Sequence, residues 1–175
     1  MTKKSVDPSA KGTSRPRRMQ FVEHSGNTTF AVEHISLRHA EFKTEREPDS
    51  PTEGQFETKA RISNETVSLE NDRHSVSLIV SITRLEDEIE VFSCEVSYTG
   101  VFLIQGLSEE KSHELLMTRC LDMLYPYISS TVAQLASQAG FQGLQLVPIS
   151  FGALYRSEQR EKQQWESIQD KVVRH

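Results

Sequence analysis

Residues 89–125 read IEVFSCEVSYTGVFLIQGLSEEKSHELLMTRCLDMLY, and the apolar period changes in the middle of them. Phe92, Cys94, Val96 and Tyr98 recur at every second residue, the spacing that puts side chains on one face of a strand. Gly100 interrupts the alternation, and the expectation there is a bulge. Past Gly106 the period becomes helical. Ser108 is suited to cap a helix, and Glu109 and Glu110 are favourable in its first turn. Leu116, Cys120 and Met123 then form one stripe. A strand therefore hands over to a helix near residue 106.

Upstream, the same period-two signal appears three more times. Phe30 and Val32 alternate, then Ile35 and Leu37, then Ala40 and Phe42. The phase slips twice, which predicts bulges in one long bent strand. The polar run TEREPDSPTEGQ that follows contains Pro48, Pro51 and Gly54, so a loop or crossover is expected, not a tight hairpin. A second strand over roughly 56–69 carries Phe56, Thr58, Ala60 and Ile62 on one face, with Val67 and Leu69 in the other phase. Val76, Leu78, Val80 and Ile82 mark a third strand with a well-buried face. Glu86-Asp87-Glu88 is a short acidic turn. The last three strands lie close in sequence, and an antiparallel meander joins them most economically.

Downstream, Tyr125-Pro126 predicts a helix end followed by a new helix, because proline disfavours helical geometry before it and suits a first turn. The new helix would carry Ile128, Val132, Leu135 and Ala139 among small residues, a narrow stripe suited to close packing. Gly140 fits a C-cap. Phe141 to Phe151 is an apolar loop with almost no charge. A third helix is expected from Ser150, with Phe151, Leu154 and Tyr155. It runs into a charged tail where Trp165, Ile168 and Val172 keep helical spacing. Four strands precede two or three helices, so the fold class is α+β with helices segregated to one face of a four-stranded antiparallel sheet.

The chain has 175 residues, a net charge of −5 and 36% apolar residues, which fits one domain with disordered tails and apolar surface shared between subunits. Residues 1–29 hold six basic residues against two acidic ones, a balance of +4, so the remainder carries −9. Such a composition predicts a disordered basic extension. It is either idle or an arm for an anionic partner, and its Arg15-Pro16-Arg17-Arg18 run is too short to argue nucleic-acid binding. Residues 30–156 form the expected domain, and 157–175 a charged helix or tail. No apolar run reaches membrane-spanning length, and the N-terminus has no apolar signal region, so a cytoplasmic protein is expected. Cys94 and Cys120 lack CxxC spacing. Buried reduced thiols are the expectation, ahead of a disulfide or metal site.

A search for chemistry finds no GxGxxG, GxxxxGK[ST], HExxH or GxSxG. The histidines are scattered, and His113 and Cys120 have no third ligand nearby in sequence. The acidic clusters at Glu86–Glu90 and Glu109-Glu110 read as a solvated turn and a helix start, or alternatively as an interaction surface. No metal, cofactor or enzymatic activity is expected.

One resemblance goes further. Glu95-Val96, Gly100, Phe102, Ile104 and Gly106, then Leu124-Tyr125-Pro126-Tyr127, then Phe141, Leu144, Leu146, Pro148, Ile149, Phe151 and Ala153-Leu154-Tyr155 resemble the SecB family of bacterial export chaperones. The similarity spans about residues 30–156 and is strongest from the fourth strand onward.

The resemblance implies a homotetramer built as a dimer of dimers. The long helix would pack between dimers through Ile128, Val132, Leu135 and Ala139, and the first strand would help pair sheets. It implies an ATP-independent chaperone, without cofactor, that holds non-native polypeptides in apolar grooves and delivers secretory precursors to SecA. Phe42, Phe56, Tyr125, Phe141, Leu144, Leu146 and Phe151 are the candidate client-binding residues. An exposed apolar surface of that kind suits unfolded chains, and an acidic body favours basic-biased clients. The family's SecA contact uses acids on the first strand and a Leu-Cys-Glu run on the fourth. Here those positions hold His39, Lys43 and Ser93, and only Glu95 matches. SecA docking is therefore expected to be weakened. The alternative is a dedicated chaperone of one partner, such as the antitoxin of a toxin–antitoxin system.

Overall fold

The computed structural model describes residues 21–46, 55–141 and 143–161. Expectations for the first twenty residues, for most of the polar run before residue 55 and for Trp165, Ile168 and Val172 lie outside them. The described elements run β1 (Phe21–Ser25), β2 (Thr28–Thr44), β3 (Phe56–Ser68), β4 (Arg73–Glu86), β5 (Ile89–Gln105), α1 (Glu109–Met117) and α2 (Arg119–Gln138). Residues 151–161 are also helical. The strands form one antiparallel sheet in the order β1-β2-β5-β4-β3. The expected meander is present as β3-β4-β5, with β2 added on the far side of β5.

The sheet has five strands, not four. Phe21–Ser25, expected within the disordered extension, pairs with Thr28–Val32 as a hairpin. This short strand is exposed along its length and has no buried stripe to announce it. Its support comes from the ladder and from Arg119, which pairs with Glu23 and lies over the ring of Phe30 at 4.6 Å. Gly106 makes room for the hairpin. It sits at φ +77, and a Cβ there would meet the carbonyl oxygen of Asn27 at 2.3 Å.

The two phase slips in β2 are real bulges. Its register against β5 shifts between Val32 and His34 and again between Leu37 and His39. Each inserted residue restores apolar side chains to the same face and bends the strand. The second bulge also brings His34 and His39, opposite Val101 and Ser97, onto one face. Gly100 is not a bulge, since it keeps register with both neighbouring strands. The site is glycine because the Phe102 ring folds over it: a Cβ would lie 2.5 Å from that ring.

Val76, Leu78, Val80 and Ile82 of β4 and Phe92, Cys94, Val96, Phe102 and Ile104 of β5 bury one sheet face against the helices. Ser108 caps α1, its side chain accepting from the Lys111 N–H. The helix break falls at Thr118 (φ −121, ψ −82), not at Tyr125. Pro126 lies inside α2 on its exposed side, so the expected pair is present with its boundary at Thr118 and the second helix runs through the proline. Proline removes one hydrogen bond, but sheet packing on both sides of it keeps the helix intact. α2 ends with Gly140 at φ +84 and the Phe141 N–H bonded to the Ala136 carbonyl at 2.8 Å.

Candidate functional site: apolar surface on the helix face

α2 crosses the central strands and leaves β3 uncovered. The β3–β4 register pairs Phe56 with Glu86, Thr58 with Arg84, Ala60 with Ile82 and Ile62 with Val80. Because Ile82 and Val80 face the helices, Ala60 and Ile62 face the same way, and so do Thr58 and Phe56. Yet Phe56 and Ile62 are 36% and 38% exposed. Among the described residues β3 is also the sheet edge, and its outward backbone groups have no strand partner there.

The chain after α2 carries a second apolar cluster. Phe141 packs against Phe42 of β2 and Phe92 of β5, with ring centroids 5.6 Å and 4.9 Å apart, while Phe42 and Phe92 stack at 5.0 Å. Such ring pairs contribute about 0.5–1.5 kcal/mol each beyond area burial. Leu144 and Leu146 are half-buried against the core. Beside this cluster opens a cavity of about 890 Å³, lined by Phe42, Val91, Phe92, Ile89, Leu135 and Ala139 together with the charged Lys43 and Glu90.

Two of the seven candidate client-binding residues are core instead. Tyr125 and Phe151 are 8% and 5% exposed and meet edge to face at 5.8 Å. The Tyr125 hydroxyl donates to the Val147 carbonyl at 2.6 Å, and the Phe151 N–H donates to Asp122 Oδ1 at 3.2 Å. These residues anchor the loop. Burial pushes the Tyr125 pKa upward. Phe42, Phe56, Phe141, Leu144 and Leu146 retain accessible surface.

Two of the four residues expected to join subunits have no surface for that role. Ile128 and Val132 are fully buried against this chain's own sheet. A side chain with no exposed area has none to offer a second copy. Leu135 and Ala139 line the cavity beside Phe42. The apolar surface left open next to α2 comprises Leu37 and Tyr127, both nearly half exposed, with Tyr98 between them. Sequence periodicity missed these because Leu37 shares its phase with core residues, and only the position of α2 leaves it uncovered.

Glu95 lies on the opposite face, directly across from Glu41. It accepts from the Ser81 hydroxyl at 2.9 Å, and His39 Nε2 stands 3.9 Å away. Lys43 pairs with Glu41 at 2.9 Å. That hydrogen bond lowers the Glu41 pKa and raises that of Lys43. The positions holding His39 and Lys43 therefore flank two opposed carboxylates with basic groups. Cys94 and Cys120 are buried and unpaired, as the sequence suggested, and desolvation pushes their thiols up to about 11 and about 12. Among the described residues, no three His, Cys, Asp or Glu side chains converge as a metal site, and no helix is long and apolar enough to cross a membrane.

Comparison with known proteins gives the family. A family model described as preprotein translocase subunit SecB matches residues 23–163. The protein-export protein SecB of Nitrosococcus oceani is 29% identical over 147 residues, covering 82% of this chain and 90% of the relative. That of Neisseria meningitidis is 30% identical over 132 residues, covering 74% and 90%. Among solved structures, a Mycobacterium tuberculosis SecB-like chaperone in complex with a ChAD peptide from the HigA1 antitoxin shares the fold. Its TM-score is 0.55 at 16% identity, over 69% of this chain and 91% of that one. The resemblance carried by Leu124–Tyr127 and by Phe141–Tyr155 was thus to the right group, and the chain belongs to the SecB family of protein-export chaperones.

Proposed function

We propose that this chain binds unfolded polypeptides without nucleotide and keeps them competent for export. The observation that carries this reading is the uncovered apolar surface on the helix face. Phe56 and Ile62 are exposed on β3, the edge strand among the described residues, and Leu144 and Leu146 of the loop after α2 are only half-buried on the same chain. A client segment can add backbone hydrogen bonds at such an edge and bury apolar side chains beside it, at about 25 cal/mol per Å² removed from water. The test is suppression of aggregation of an unrelated, chemically unfolded protein without ATP. Aggregation that proceeds unchanged at several-fold molar excess of this chain rejects the reading.

We infer assembly as a homotetramer, with Leu37, Tyr98 and Tyr127 as the surface beside α2 that a second copy covers. Contact with SecA is weakened by His39, Lys43 and Ser93. These substitutions favour a second reading, a chaperone dedicated to one partner. It is consistent with the structural neighbour bound to an antitoxin peptide. Capture from the native host separates the two. Many precursors support the export reading, and one dominant small protein the dedicated one.

A further inference from the structure

Arg84 stands on the helix face at the Phe56 end of the uncovered surface, opposite Thr58 in the β3–β4 ladder. Its guanidinium lies over the Phe56 ring, with Cζ 4.2 Å from the ring centroid. Its Nε is buried and has no hydrogen-bond partner among the described residues. The neighbouring carboxylate, Glu86, is paired with Arg46 at 2.7 Å. An arginine held half-buried on an aromatic face, with a buried donor unmatched, is a costly arrangement for stability alone. Arginine's fork of donors also matches a carboxylate in two places at once.

We propose that Arg84 is a specificity determinant of the client surface, receiving an aspartate or glutamate carboxylate from an extended polypeptide segment bound along β3. The proposal rests on the client-binding reading above. The acidic body repels acidic segments in general, so one cation inside the apolar surface fixes where along a client an acid can sit. Phe56 and Ile62 would then take apolar side chains at even spacing from that acid, because both share Arg84's face. The occupant is therefore an apolar segment with an acid at one end.

Fluorescence anisotropy with two labelled unstructured peptides tests this. They share alternating Leu and Phe residues and differ only in one flanking Glu or its isostere Gln. The Glu peptide is expected to bind the wild-type chain about fivefold tighter, the scale of a charge-assisted hydrogen bond partly screened by solvent. Arg84→Gln should abolish the preference and Arg84→Lys should retain part of it, with added salt shrinking it. Equal binding of the two peptides to wild type overturns the proposal and leaves the client reading standing, whatever the variants do. A preference that persists in Arg84→Gln overturns it as well. Failure of both peptides to bind wild type rejects the client surface itself and this proposal with it. If Arg84→Gln instead lowers the assembly mass with the preference intact, the guanidinium serves a second copy, and the proposal fails.

Discussion

The hydroxyl of Tyr125, in the middle of α2, donates a 2.6 Å hydrogen bond to the carbonyl of Val147. With the Phe151 N–H to Asp122 bond, it ties the apolar loop to the helix that it runs back along. Removing it with Tyr125→Phe keeps the ring packed on Phe151 and orphans only the carbonyl. The expected cost is about 1 kcal/mol, with faster amide exchange confined to residues 143–149. Unchanged exchange there would show that the Leu144 and Leu146 contacts hold the loop unaided.

Gly100→Ala crowds the Phe102 ring, which would lie 2.5 Å from the new Cβ, with Leu124 at 3.2 Å. Both neighbours are fully buried and have little room to give. Destabilisation of about 1–3 kcal/mol is expected, read as a lower urea midpoint at an unchanged slope. A midpoint equal to wild type would mean that the sheet yields at this position.

The buried face of α2 and its open side respond differently to charge. Val132→Asp places an unpaired carboxylate in the core and is expected to cost several kcal/mol, lost as cooperative thermal unfolding. Tyr127→Asp, combined with Leu37→Asp, leaves the fold intact and lowers the assembly mass in light scattering. An unchanged mass removes this surface from the subunit contact.

The two thiols are protected by desolvation. Their pKa values of about 11 and about 12 keep them protonated in the native state, and an alkylating reagent at about pH 8.5 should label them only after unfolding. A pKa raised on folding adds stability below the unfolded-state value. Stability should therefore fall as pH rises from about 9 toward 12, where only the unfolded chain ionises its thiols. Rapid labelling of the native protein contradicts the burial of Cys94 and Cys120.

On the opposite face, His39→Asp with Lys43→Glu surrounds Glu41 and Glu95 with acids where basic groups now stand. SecA binding by calorimetry is expected to strengthen, and to do so more at low salt. No change would remove charge at these positions as a determinant of SecA docking.

Much of this was readable in the sequence, and the rest was not for physical reasons. The alternation from Phe30 to Phe42 located both bulges, because an inserted residue must shift the phase of a half-buried strand. Ser108 announced its helix through the chemistry of an unsatisfied N–H. The apolar run after Gly140 carried the family. What alternation cannot state is which strand neighbours which, or how far a helix reaches across the sheet. Those are long-range matters, fixed when β2 paired with β5 and α2 settled over the central strands. Only then did Ile128 and Val132 become core and Phe56 and Ile62 surface, and only the pairing of β3 with β4 set Arg84 beside Phe56. A side chain's period belongs to the local chain, but its exposure depends on what the rest of the molecule leaves uncovered.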